Sequence, residues 1–469
     1  MRAVHVFAAF AALVLVASGA GVYATSVPPP VGVSTSFASQ IDHVVIIMME
    51  NRAYDNYFAG YCLQRNSYCN STAAGIPAGE CVQQMNVSGG CVTPYNFTAK
   101  NLSTPDLLHV YNNTVRSING GMMNGFYSAE NTGGVPRLQP FGHYNGSTIP
   151  VYWDMAQEFA LGDNFYSSAL SYSLPNHWYL LAGRAPSIVI KTTLWNDNIT
   201  QKRTYLNQSN STRTVEDLLN NSAVSFKYYD WPLVSYSSAI QIIPGYISGP
   251  GKGSAYSLWN PMAARAESYT RYFNSHFVAR DQIFSDLKGG TLPNVSYVIP
   301  QGNYSDHAPS NITAGEKFVA NVVDAVEFSK YWNHTAIFLA WDDYGGWYDG
   351  KAPPKLDTLG LSIRVPLIVI SPYTPAGRIV HSLGYLESTL SFIEFRWGLK
   401  KDCLTARDCN APDLAAYFDF SMKPQAPVFF DPNWLNDTYP YHHETYKAGN
   451  LDATTWLGND DNLTDDEAD

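Results

Sequence analysis

Residues 44–49, Val-Val-Ile-Ile-Met-Met, form an unbroken apolar run of strand length that stops on Glu50, Asn51 and Arg52. A strand half open to water alternates apolar and polar residues; one that is apolar at every position needs cover on both faces. That single run therefore asks for a central sheet between two layers. In open α/β sheets ligands sit beyond the carboxyl ends of the strands, so Glu50 and Asn51 stand where a metal or substrate would bind. They would equally suit a polar turn.

A second run of the same kind lies far downstream. Thr335 to Trp341 is apolar after its first residue and ends on Asp342 and Asp343, followed by Tyr344, Gly345 and Gly346. Adjacent carboxylates repel unless a cation or protons intervene, so the pair is a metal candidate, with Asp-Asp-x-Gly-Gly as turn chemistry the competing reading. Between the two runs, Ser173 precedes Pro175 and a stretch with helical character through Leu181. That is the place of an N-cap serine, and a helix start also favours phosphate and an activated hydroxyl.

Further strands are expected at Asn294–Pro300 and Val365–Ile370, and helices at Gly315–Tyr331 and Leu386–Trp397. Strands alternating with helices predict an α/β fold with a mostly parallel central sheet sandwiched between helices. No internal repeat of fixed period is evident.

These segments together resemble the phosphoesterase family of phosphatidylcholine-type phospholipases C and acid phosphatases, within the alkaline-phosphatase-like superfamily. The resemblance runs through His43–Phe58, His109, Gly121–Phe126, Ser173-Leu174-Pro175-Asn176, Ser305–Pro309, Trp341–Asp349, Ile363–Pro366 and Ser371-Pro372. It implies that Ser173 is the nucleophile and that Glu50, Asn51, Asp342 and Asp343 hold one divalent metal ion together with Ser173. His109 and His307 would line the phosphate pocket, with Asn176 and His381 as further substrate-binding candidates. The chain departs from the family at Gly350, where many members carry His, and at Leu386-Glu387-Ser388, where members tend to carry Asp-His. An oxygen-rich ligand set favours Ca, Mg or Mn. A sulfatase is disfavoured, because Ser173-Leu174-Pro175-Asn176-His177 lacks the Arg of the sulfatase modification signature.

The ends of the chain bear on where it works. Met1-Arg2 followed by apolar residues to Val22 reads as a signal peptide over 1–24, with an uncleaved N-terminal anchor as the rival, and 25–39 as a linker. Six cysteines, Cys62, Cys69, Cys81, Cys91, Cys403 and Cys409, fall in local clusters that suit short-range disulfides of an oxidising compartment. Zinc is the alternative, without a Cys-x-x-Cys pair to support it. Sequons at Asn70, Asn86, Asn96, Asn101, Asn145, Asn198, Asn207, Asn294, Asn311 and Asn436 suggest a glycoprotein. Residues 40–430 are expected to form the catalytic domain, with 191–288 either a lid insertion or ordinary surface loops, and 431–469 an extension with an acidic tail.

A net charge of -11 without a Lys/Arg run argues against nucleic acid as a partner. The expected substrate is a phosphate ester or phospholipid, met in the extracellular space or at a membrane surface. A monoester-cleaving acid phosphatase is the leading expectation, a phospholipase C the second. A glycosylated surface protein that kept the fold and lost the chemistry is the reading from another class.

Overall fold

The structure, a computed structural model, describes residues 40–64, 81–130, 134–193, 199–230, 259–300 apart from 266, 269, 270 and 272–274, and 302–430. The expected signal peptide, the linker and the acidic extension lie outside the described residues, as do Cys69 and the sequons at Asn70, Asn198 and Asn436.

An eight-stranded sheet forms the centre. Its strands are β1 His43–Met49, β2 Ala160–Gly162, β3 Phe226–Asp230, β4 Phe277–Ala279, β5 Val295–Val298, β6 Thr335–Trp341, β7 Leu367–Ile370 and β8 Arg378–Val380. They lie in the order β8-β2-β7-β6-β1-β5-β3-β4. All neighbours are parallel except β7, which runs antiparallel to both β6 and β2. The exception follows from the connection. After β6 the chain stays at that strand's carboxyl end through residues 342–366 and re-enters the sheet from there, so it must run back.

Both apolar runs become the paired central strands. All seven residues of β6 and six of the seven in β1 are buried, as runs without polar alternation require. Helices that matter to the site are α1 Pro150–Glu158, α2 Ser173–Ala182, α3 Ile312–Glu327, α4 Glu387–Arg396 and α5 Ala406–Asn410. Asn311 caps α3 by accepting from the Thr313 amide at 3.0 Å, so the helix begins before the expected Gly315 and ends before Tyr331. The described parts of 191–288 supply β3 and β4 to the sheet. Cys81–Cys91 and Cys403–Cys409 are disulfides, Cys62 is also disulfide-bonded, and no described cysteine is free, so these clusters are cystines.

On the face of β6, Phe338 packs edge-on to Phe392 of α4 at 4.9 Å between ring centroids and touches Phe418 at 6.4 Å. Phe338→Ala would remove this buried ring and leave a cavity between sheet and helix. A loss of about 3–5 kcal/mol in unfolding free energy is expected, measured by denaturant titration.

Candidate functional site

Register brings the acids together. His43 lies opposite Thr335 and Met49 opposite Trp341, so the residue after each strand, Glu50 and Asp342, emerges at the same level. The ladder then continues one step, the Asp342 amide donating to the Met49 carbonyl at 3.0 Å. On the other side of β1, the Glu50 amide donates to the Ser305 carbonyl at 2.8 Å. Asn51 adopts left-handed backbone geometry, φ 63°, and its amide donates to Asp342 Oδ1 at 3.0 Å. Gly345 passes so close to this turn that a Cβ would stand 2.3 Å from the Asn51 carbonyl oxygen. That explains a glycine two residues after Asp343, whose Oδ1 accepts from the Gly345 amide at 2.7 Å.

Helix α2 delivers the serine. Ser173 is the first residue of the helix rather than its N-cap; the cap position falls to Tyr172, and the serine hydroxyl is turned instead to Glu50 Oε2 at 2.9 Å. Four residues on, along the same helix face, His177 Nε2 lies 2.8 Å from Glu50 Oε1 and 3.8 Å from Asp342 Oδ2. His177 was not anticipated as a site residue. The signal that could have found it is the i, i+4 spacing from Ser173 on an expected helix.

The electrostatics of this cluster are unfavourable without a cation. Burial pushes the Glu50 carboxyl well above the usual carboxylate range, and repulsion from Asp343 adds to it. Burial does the same to Asp342, reinforced by Asp343 and Glu50, and burial raises Asp343. His177 is held below its ordinary value by burial. Both side-chain atoms of Asn51, Asp342 Oδ2 and Asp343 Oδ2 are buried without a hydrogen-bond partner. The unpaired buried oxygens of Asn51, Asp342 and Asp343, beside mutually repelling acids, are what a divalent cation would satisfy, so the residues present fit a metal centre. Glu50, His177 and Asp342 offer atoms close enough to hold one ion. His177 thus adds a nitrogen to the oxygen-rich candidate set expected from the sequence.

The histidines divide. His109 is buried, with Nδ1 on the Leu107 carbonyl at 2.6 Å and Nε2 facing Asp343 Oδ2 at 3.9 Å. His307 holds the Ala308 carbonyl through Nδ1 at 2.5 Å, packs 5.5 Å from the Trp259 ring and is lowered in pKa by burial, with His109 nearby adding to the effect. His381 is not brought to the acids. It follows β8 at the sheet edge, three strands from β6 and so about 14 Å away at normal strand spacing, where its half-exposed ring pairs with Asp163 at 2.7 Å.

Asn176 also has a different task from substrate contact. It is fully buried, its Oδ1 accepts from the Ser168 and Ala169 amides and the Ser167 hydroxyl, and its Nδ2 donates to the Ser171 and Tyr172 carbonyls. With both ends spent on the loop before α2, it shapes the approach to Ser173. At the two positions where the chain departs from the resembled pattern, the Gly350 amide donates to Asp55 Oδ2 at 2.8 Å, and Glu387 is buried against Ser168 and Arg407.

Behind His307 lies a buried support. Asp306, at φ 70°, accepts on Oδ2 from Tyr57 at 3.0 Å, Tyr152 at 2.9 Å and Trp341 at 3.1 Å. Arg52 Nη2 donates to the Asp306 carbonyl at 2.5 Å. Burial raises the Asp306 carboxyl to about 6, with Arg52 and the three donors limiting the rise. An acid whose pKa is higher folded than unfolded binds its proton more tightly in the native state, so its contribution falls as pH rises from about 4 through 6. The fall amounts to about 3 kcal/mol for a rise of this size. The stability difference between wild type and Asp306→Asn is expected to shrink by that amount from pH 4 to 7 in denaturant titrations; a pH-independent difference would refute the assignment.

The profile of the phosphoesterase family matches residues 41–400. Phospholipase C B of Mycobacterium tuberculosis is 25% identical over 433 residues, covering 82% of this chain and 79% of its own length. A non-hemolytic phospholipase C of Pseudomonas aeruginosa is 23% identical, covering 88% of this chain and 60% of its own length. Among solved structures, an alkaline phosphatase superfamily protein from Vibrio parahaemolyticus aligns over 82% of this chain and 71% of its own, at 11% identity and a TM-score of 0.36.

Proposed function

The chain belongs to the phosphoesterase family and is a hydrolase acting on phosphoric ester bonds; we propose that it transfers the phosphoryl group of its substrate to Ser173 at a divalent metal centre. The observation that carries this reading is the Ser173 hydroxyl 2.9 Å from Glu50, inside a buried group of Glu50, Asp342, Asp343 and His177.

Glu50, Asn51, Asp342, Asp343 and Ser173 would hold the ion, with His177 as a further donor. When bound, it would supply positive charge that lowers the pKa of the serine hydroxyl and offsets charge on the phosphoryl oxygens. Glu50 Oε2 is placed to take the Ser173 proton. Ser173 Oγ then attacks phosphorus in line as the bond to the leaving alcohol breaks, giving phosphoserine from a monoester, or from a diester a serine phosphodiester that keeps the second alcohol. His109 Nε2 or His307 donates a proton to the leaving oxygen. Water next attacks phosphorus, the same histidine accepting its proton, and Ser173 leaves with the proton returned by Glu50. Mg, Mn and Ca suit the carboxylates, and the imidazole nitrogen widens the set to Zn.

The phospholipase C names among the relatives support a phosphodiester of a phospholipid as substrate over the monoester expected of an acid phosphatase. The proposed setting is extracellular or at a membrane surface; among the described residues no helix is long and apolar enough to cross a membrane.

Purified protein assayed on nitrophenyl phosphorylcholine and nitrophenyl phosphate is expected to favour the choline diester, to lose turnover to a chelator and to regain it with an added divalent ion. Ser173→Ala is expected to lower kcat by at least about a thousandfold. Near-normal turnover by that variant would overturn the nucleophile assignment. No turnover of either ester with any added metal would favour the reading as a surface protein without chemistry.

A further inference from the structure

One guanidinium touches both ends of the nucleophile's surroundings. Arg407 lies on α5, inside the short loop closed by the Cys403–Cys409 disulfide, and is buried. Its Nη1 donates to the Ser168 carbonyl at 2.9 Å and to Glu387 Oε1 at 3.3 Å. The other Glu387 oxygen, Oε2, accepts from the Ser168 hydroxyl. Ser168 is thus gripped at its carbonyl and its hydroxyl, while its amide is fixed by Asn176 from within α2. The guanidinium plane also lies over the ring of Tyr179 on α2, 4.8 Å from its centre.

The same cystine loop holds the far end of α2. Thr405 Oγ1 donates to the Gly183 carbonyl at 3.2 Å, at the helix C-cap. Gly183 has φ 64°, and a Cβ there would stand 2.6 Å from Thr405 Oγ1 and from Asp408 Oδ1, so the contact is close by construction. On its outer edge Arg407 makes a two-pronged pair with Asp357, Nε to Oδ2 at 2.7 Å and Nη2 to Oδ1 at 2.9 Å, and Nη2 reaches the Gly360 carbonyl at 2.6 Å. A planar fork with five donors is the side chain suited to joining this many fixed acceptors; a lysine presents a point charge instead.

We propose that Arg407, held by the Cys403–Cys409 loop and paired with Glu387, is the positioning residue that sets the Ser173 helix and the loop preceding it relative to the acids at the ends of β1 and β6. This rests on Ser173 being the nucleophile. Glu387 accepts from the Ser168 hydroxyl on one oxygen and from Arg407 on the other, so this position serves alignment of Ser173 through a carboxylate and an arginine. Ser173 reaches Glu50 from a helix, whereas Glu50 directly follows β1 of the sheet, so a small rotation of the helix would open the 2.9 Å contact without unfolding either element. Displacement of a reacting group by about 1 Å costs on the order of a hundredfold in rate.

The test compares full-length, metal-loaded wild type, Ser173→Ala, Arg407→Lys, Arg407→Ala and Asp357→Ala on one chromogenic phosphoester. The lysine variant, with near-UV dichroism and melting temperature close to wild type, is expected to lose on the order of ten- to a hundredfold in kcat with KM little changed. Millimolar methylguanidinium is expected to restore part of the kcat lost in Arg407→Ala, which a variant merely destabilised would not show. Asp357 is partly exposed and its removal buries no lone charge, so Asp357→Ala reports even if the Arg407 variants do not fold, with a several-fold loss in kcat. Wild-type kcat in the folded Arg407 variants, or in Asp357→Ala when those do not fold, beside an inactive Ser173→Ala, overturns the positioning role and leaves the nucleophile standing. Full turnover by Ser173→Ala overturns both.

Discussion

Repulsion among three buried carboxylates is the constraint on which the rest of the site depends. Glu50, Asp342 and Asp343 are removed from water at the carboxyl ends of two neighbouring parallel strands, where pairing of Met49 with Trp341 leaves them no room to separate. Parallel register is the cause: two strands that start level and have equal length must also end level. In a medium of low polarizability such a cluster either takes up protons or takes up a cation, and the unpartnered oxygens of Asn51, Asp342 and Asp343 could be satisfied by the second. Ser173 and His177 enter as the only described helix-borne groups bonded to Glu50, which ties the hydroxyl to whatever neutralises the acids.

Around this centre the fold spends much of its polar bonding on fixing directions. Arg52, next in sequence after Glu50 and Asn51, turns away from them, bonding to the Asp306 carbonyl and the Tyr57 hydroxyl and lying over the Trp347 ring. Asp306 gathers Tyr57, Tyr152 and Trp341, so the loop that carries His307 is anchored to the last residue of β6 and to α1. On the opposite side, Asn176 and Arg407 fix the loop before Ser173. Ser173 and His307 are thereby held against the same pair of strands, which is the preorganisation that the proposed phosphoryl transfer would require.

The parts legible in the sequence were those with a local cause. Thr335–Trp341 is a strand with the expected bounds because a run of that length with no polar alternation has few other solutions. The acids at strand ends were legible for the same reason. His177 was not read as a site residue, although its spacing from Ser173 placed it on the same helix face. Arg407 carries no local signal at all: its partners at residues 168, 357, 360 and 387 are distant in sequence, and only the closed chain brings them together. The strands at 226–230 and 277–279 were hidden inside a segment read as lid or surface loop, since a strand of three to five residues offers too little pattern to separate it from a loop. Asn176 and His381 were read as substrate-binding candidates; their bonding directs them to the loop before α2 and to Asp163.

The most direct measurement is the melting temperature of wild type and Asp343→Asn, each first freed of metal by chelation and then supplied with Mg, Mn, Ca or Zn. If the acids exist to hold a cation, neutralising one of them relieves repulsion in the metal-free protein and raises its melting temperature. In the presence of the ion that stabilises wild type, the same substitution removes a ligand and lowers the melting temperature relative to wild type. A change of sign between the two conditions is the predicted result. A shift of the same sign in both, with no ion stabilising the wild type, would contradict the account of this cluster as a metal centre.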